Sequence, residues 1–119
     1  MNSHRIEDLK VWKKSMTLVK EVYLVSIELP VEEKFGLVSQ IKRCAVSIPS
    51  NIAEGAGRNN KKEFYQFLGI AFGSTYELQT QLQLLVDLNF ISDAKIAPIK
   101  ELLTEIQKMI YSLKESLKL

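Results

Sequence analysis

Histidine and cysteine are all but missing from this chain: its 119 residues include one of each, His4 and Cys44. A single cysteine excludes an internal disulfide, and one distant histidine does not complete a zinc site. No Glu-x-x-His pair occurs, so the usual di-iron ligand set of helical bundles is excluded. No Ser/His/Asp set can be assembled around His4. The expectation is a protein that is not an enzyme and takes no metal or other cofactor. Cys44 lies beside an apolar helical stripe and reads as a buried small hydrophobe. Three prolines and five glycines are too few for a disordered or linker-rich chain. No apolar run approaches the roughly 18 residues of a membrane span, and no signal-peptide core opens the sequence. A cytoplasmic location with no membrane partner is expected. Residues 1–5, His4 among them, form a polar stub expected to be disordered.

What is present is a 46% apolar, 25% charged composition, suited to one domain over residues 1–119. Four amphipathic helices follow from apolar spacings of three and four. The first is predicted from about Glu7 to Glu28, with Leu9, Trp12, Met16, Val19, Tyr23 and Ile27 as its packed stripe and Pro30 as its stop. The second runs from near Glu32 to Gly55 or Gly57, with Val38, Ile41, Ala45, Ile48 and Ile52 on one face. Arg43, Ser47, Ser50, Asn51, Glu54 and Arg58 gather on the other. Pro49 sits inside this helix, where proline costs about 3 kcal/mol or more, and a bend is predicted there. It would leave the Ala45 carbonyl to Ser47, Ser50 or a water. Small residues crowd the same segment, as if another backbone comes close.

Asn60 and Glu63 form a capping box that opens the third helix. Its stripe of Phe64, Leu68, Ala71, Thr75, Leu78, Leu82 and Leu85 is a heptad seam, and Asn89 is its predicted stop. The remaining faces carry Gly69, Gly73 and several glutamines with hardly any charge, so a second covered side is expected, within the monomer or against another subunit. The fourth helix starts at Ser92-Asp93 or after Pro98, and Ile96, Ile99, Leu103, Ile106, Ile110, Leu113 and Leu117 form its seam. No period-two alternation suggests a strand. The fold class is all-α: an antiparallel up-down-up-down four-helix bundle with its second helix bent at Pro49.

The formal net charge is only +2, but it is unevenly spread. Lys10, Lys13 and Lys14 mark one basic segment; Lys42, Arg43, Arg58, Lys61 and Lys62 mark another. No Lys or Arg occurs from 63 to 94. Antiparallel neighbours can bring the two segments onto one surface, a candidate site for nucleic acid. Lys42 and Arg43 are expected to matter most, with Lys61 and Lys62 contributing less from a turn. That turn, 55–62, leads into a helix N-terminus that favours anions, but it lacks the spacing of a phosphate-binding loop after a strand. The plainer reading is that Gly ends one helix, Asn60 caps the next and lysines keep the turn soluble. Ser47, Pro49, Asn51, Glu54, Gly69 and Gly73 are the candidates for oligomer contact or close packing.

Several words of the sequence occur together in one known family. Asp8-Leu9-Lys10-Val11-Trp12, Phe35-Gly36-Leu37, the run from Ala45 to Gly55 (AVSIPSNIAEG), Lys62-Glu63-Phe64 and Glu77-Leu78-Gln79-Thr80-Gln81-Leu82 follow in order. Over about Ile6 to Ile91 the chain closely resembles the four-helix-bundle family encoded in intervening sequences of bacterial 23S ribosomal RNA genes. The last helix agrees in pattern alone. The resemblance implies a bundle that assembles as a ring-like homopentamer, in a family without a settled activity. It also implies kinship with accessory proteins of diversity-generating retroelements, which bind nucleic acid and a reverse transcriptase. The expected function is therefore a non-catalytic homo-oligomer that binds nucleic acid, structured RNA foremost and RNA or DNA in general, through backbone phosphates, with weak sequence preference. The alternative is a protein-interaction scaffold that holds a partner protein on its ring.

Overall fold

The computed structural model describes residues 5–118. The expected disorder of residues 1–4, and with it His4, lies outside the described residues. Arg5 is extended and exposed, with its guanidinium 3.5 Å from Glu7 and 3.8 Å from Asp8. After a 3-10 turn at Ile6–Asp8, four helices follow: α1 (Lys10–Ser26), α2 (Leu37–Gly57), α3 (Lys61–Asp87) and α4 (Asp93–Ser116). No strand occurs among the described residues.

The first helix packs on a different face from the one its spacing suggested. Val11, Ser15, Leu18, Val22 and Val25 point into the core, whereas Met16, Tyr23 and Ile27 are exposed and Trp12 and Val19 half-buried. Apolar residues cover two adjacent rows of α1, and periodicity alone does not choose between them. The inward row holds the smaller side chains, which let neighbouring helices approach closely. Its two buried serines are satisfied locally: Ser15 donates to the Val11 carbonyl and Ser26 to that of Val22, both at 2.7 Å.

The second helix begins five residues later than Glu32. Val31–Glu33 forms a separate 3-10 turn, and Gly36 (φ −105°, ψ −113°) interrupts the helical path before Leu37. The Glu33 carboxylate accepts from the Leu37 amide at 3.4 Å and so serves the first turn of α2. From there α2 runs unbroken through a buried Pro49. Ser47 donates to the Cys44 carbonyl at 2.6 Å, one residue away from the acceptor expected for it, and Asn51 donates to the Ser47 carbonyl at 2.8 Å. The close approach foreshadowed by the small residues is at Gly55. An added Cβ there would meet Phe67 Cβ at 2.7 Å and Phe64 Cδ1 at 2.9 Å.

Asn60 caps α3 as expected, accepting from the Glu63 amide at 3.0 Å. Both turns that flank α3 use a left-handed asparagine, Asn59 at φ 54° and Asn89 at φ 61°, a conformation asparagine tolerates better than most residues. Ser92 caps α4 by accepting from Lys95, and that helix continues past an exposed Pro98 without a separate first turn.

Each helix packs against two others: α2 touches α1 and α3, and α4 touches α3 and α1. Residue pairs across these contacts run in opposite senses. Along α2 and α3, Gly55 meets Phe64 and Ser47 meets Ser74. Along α3 and α4, Lys114 stands over Tyr65, Gln107 bonds Gln79 and Lys100 bonds Gln83. Lys14–Glu105 and Glu28–Lys95 join α1 to α4. The bundle measures 46 × 23 × 20 Å, and its centre holds Leu18, Ile41, Ile48, Phe64, Leu82 and Ile106, all essentially inaccessible. No described helix is long and apolar enough to cross a membrane.

Candidate nucleic-acid interface

The alternating helix directions gather one end of each helix at each end of the bundle. The start of α1, the end of α2, the start of α3 and the end of α4 share an end. Lys10, Lys13, Lys14, Arg58, Lys61, Lys62, Lys108, Lys114 and Lys118 all belong to it. The carboxylates at this end are already paired. Glu7 and Asp8 face Arg5; Glu54 and Glu63 lie 3.4 and 3.6 Å from Arg58; Glu105 is 2.9 Å from Lys14; Glu115 is 3.0 Å from Lys118. Lys10, Lys13, Lys61, Lys62 and Lys108 are exposed with no acidic partner among the described residues. The end is therefore more positive than the +2 of the whole chain suggests.

The opposite end is more acidic. Glu32, Asp87 and Glu101 have no cationic partner among the described residues, whereas Lys95 is held 2.8 Å from Glu28 and Lys100 3.4 Å from Asp93. Lys34 is exposed there without an acidic partner among the described residues, 5.5 Å from the Phe35 ring. Each such exposed pair contributes little to stability, about 0–1 kcal/mol. Their effect is on the map of surface charge, since they remove cations from the acidic end and anions from the basic one.

The sequence-derived candidates divide accordingly. Lys10, Lys13, Lys61 and Lys62 are brought to one end and stay unpaired. Lys14 and Arg58 are at the same end but engaged, Lys14 with Glu105 and Arg58 with two carboxylates and with the Phe67 ring at 5.1 Å. Lys42 is not brought to Lys10–Lys14. It stands 4.8 Å from the Tyr23 ring, ten residues and about 15 Å along α1 from Lys13. Arg43, exposed beside it, is equally distant from the basic end.

Of the packing candidates, Ser47 faces α3 within the same chain: its hydroxyl is 2.7 Å from that of Ser74. Pro49 is buried and Asn51 is half-buried against its own helix. Glu54 is spent on Arg58. Gly69 lies under Lys114, whose Nζ would be 3.6 Å from an added Cβ, and Gly73 opens to free space. Cys44 is buried and donates to the Ser74 carbonyl at 3.2 Å. Burial, and then the negative charge of Glu77, pushes its thiol up to about 12, so it carries no nucleophilic chemistry at neutral pH. Among the described residues no cluster of His, Cys, Asp and Glu could hold a metal ion.

Two features escaped the sequence. The uncovered row on α1 is one: Met16, Tyr23 and Ile27 continue into Val31 and Phe35, which are 82% and 90% exposed. The other is the share of α4 in the basic end, through Lys108 and Lys114. Tyr76 and Tyr111, each one residue off its helix seam, were the available signal that α3 and α4 carry something besides core.

Comparison with known proteins agrees with this geometry. A crystal structure of a protein of unknown function from the S23 ribosomal protein family of Bacteroides thetaiotaomicron superposes with a TM-score of 0.81 at 28% identity, covering 87% of this chain and 97% of that one. No curated protein matches. The family of 23S rRNA-intervening sequence proteins matches residues 7–112, nearly the whole bundle, and the chain belongs to that family.

Proposed function

We propose that the protein is a non-catalytic, cytoplasmic homo-oligomer that holds RNA by its phosphates on the basic end of the bundle. The observation that carries this reading is the unequal pairing of charge. Every described carboxylate at that end has a cation, and Lys10, Lys13, Lys61, Lys62 and Lys108 are left over. Unpaired surface lysines release counterions when they meet phosphates, which gives salt-sensitive, weakly sequence-selective binding. On this reading Lys61 and Lys62 carry phosphate contacts, and Lys42, 4.8 Å from the Tyr23 ring and away from that end, does not.

The uncovered α1 row supports self-assembly. Met16, Tyr23 and Ile27 stand exposed at seam spacing, flanked by the half-buried Trp12 and Val19. A ring, of five subunits in the family this chain resembles, would repeat the basic end around one axis. Several weak contacts on one RNA then gain avidity.

A second reading has its own observation. Val31 and Phe35 protrude at the acidic end, beside Glu32 and Glu33, as a surface for a basic, apolar partner protein. Titration of a labelled structured RNA with the protein at about 50 mM salt, followed by a rising salt series, separates the two. Binding that weakens steeply with salt supports the RNA reading. Absence of salt-sensitive binding to RNA or DNA removes it and leaves the scaffold.

A further inference from the structure

We propose that the shallow groove between α3 and α4, lined by Phe72, Tyr76, Lys108 and Tyr111, is a stacking platform for unpaired nucleobases. The inference rests on the nucleic-acid reading above and names its substrate class: single-stranded stretches rather than duplex. Tyr76 and Tyr111 are 52% and 57% exposed and line one cavity of about 430 Å³, within the roughly 300–1,000 Å³ range of small-molecule sites. Tyr76 and Tyr111 stand open whereas Phe64 is completely buried, which leaves their rings accessible for stacking.

The platform is braced and its charge is of one sign. Phe72 meets Tyr76 edge to face, with centroids 5.2 Å apart and planes at 77°. Lys114 is 5.5 Å from the Phe72 ring and 4.8 Å from that of Tyr65, which fixes a cation beside the aromatic row. Lys108 lies in the groove itself. The rest of the lining, Thr104, Gln107 and Ser112, is neutral, and no carboxylate contributes. The two acids nearest along α4 are occupied, Glu105 by Lys14 and Glu115 by Lys118.

Cations beside exposed aromatic rings match an anionic chain with flat, accessible bases. A duplex keeps its base faces inside its own stack and gains nothing from the tyrosines. Lys114, over Tyr65 and Phe72, stands between the groove and the start of α3, so a strand with phosphates at Lys61 and Lys62 reaches Tyr76 by spanning about 22 Å along α3.

Fluorescence anisotropy of the full chain with a labelled single-stranded oligonucleotide and with its duplex, each as RNA and as DNA, tests the proposal. Tyr111 is exposed, so its removal leaves the core closed. Tyr111→Ala is expected to weaken single-strand binding about 5- to 150-fold, with the salt slope and duplex binding unchanged. Tyr111→Phe is expected to keep wild-type affinity, because stacking needs the ring and not the hydroxyl. A larger loss on RNA than on DNA would place the 2′-hydroxyl in the groove; equal loss would assign the site to the base alone. Equal losses on strand and duplex, no loss, or a fall in oligomer mass on light scattering would each overturn the platform. If Tyr111→Ala is inert while Lys61→Ala with Lys62→Ala weakens strand and duplex together, the platform fails and the phosphate reading stands. Failure of the wild-type protein to bind any of the four probes removes both.

Discussion

Gly55 and Gly73 are both helical glycines, yet substitution by alanine should move stability in opposite directions. At Gly55 a methyl group has no room, with Phe67 Cβ 2.7 Å and Phe64 Cδ1 2.9 Å from its place. Gly55→Ala should therefore destabilise the fold by about 1–3 kcal/mol, as overpacking does. At Gly73 nothing lies within 4 Å, and Gly73→Ala should stabilise by about 0.5–1 kcal/mol through helix propensity. Urea unfolding of the two variants at one protein concentration checks the pair of signs. Cys44 offers a second test at this scale. Its folded thiol keeps its proton well beyond the value of about 9 at which an exposed one loses it. The stability it contributes is whole below about 9 and declines as the pH rises towards 12. At pH 8 a thiolate-specific reagent should leave Cys44 unmodified in the native protein and react promptly in denaturant. Rapid native-state labelling would contradict the burial assigned to it.

At the scale of elements, α1 decides the question of assembly. It presents apolar residues on two faces and the bundle covers one. If the outer row is the subunit contact, Ile27→Glu, at a position 80% exposed in the monomer, should bring the mass measured by light scattering down towards 13.6 kDa with helical circular dichroism intact. An unchanged mass would remove the α1 row from the contact. The same helix shows where sequence reading stops. The seams of α3 and α4, the capping roles of Asn60 and Ser92, and the asparagine stop at Asn89 were legible, because each element has one apolar face and a local chemical signal at its ends. In α1 the rows through Leu18 and through Tyr23 have equal claims by spacing, and only the volumes of the packed partners separate them. The start of α2 was misplaced at Glu32 because an acidic pair suits a helix start wherever it lies, whereas Gly36 and the Glu33 contact to Leu37 depend on the three-dimensional path.

Across the whole molecule, charge is sorted along the long axis, a property that no single segment of the sequence displays. The candidate site was legible in part. Lys10, Lys13, Lys61 and Lys62 were read as one surface and do share an end. Lys42 and Arg43 were joined to them because antiparallel neighbours suggested it, while the register of α1 on α2 sets Lys42 against Tyr23. Lys108, Lys114 and the tyrosine groove were not read, since they need the pairing of α4 with α3. The salt dependence of RNA binding by charge variants reads out phosphate contacts at the basic end. Plots of log K against log salt concentration should be shallower by about two units for Lys61→Ala with Lys62→Ala, one unit per lost phosphate contact. The slope should be unchanged for Lys42→Ala with Arg43→Ala. The reverse result, with slope lost at Lys42 and Arg43 and kept at Lys61 and Lys62, would contradict the account.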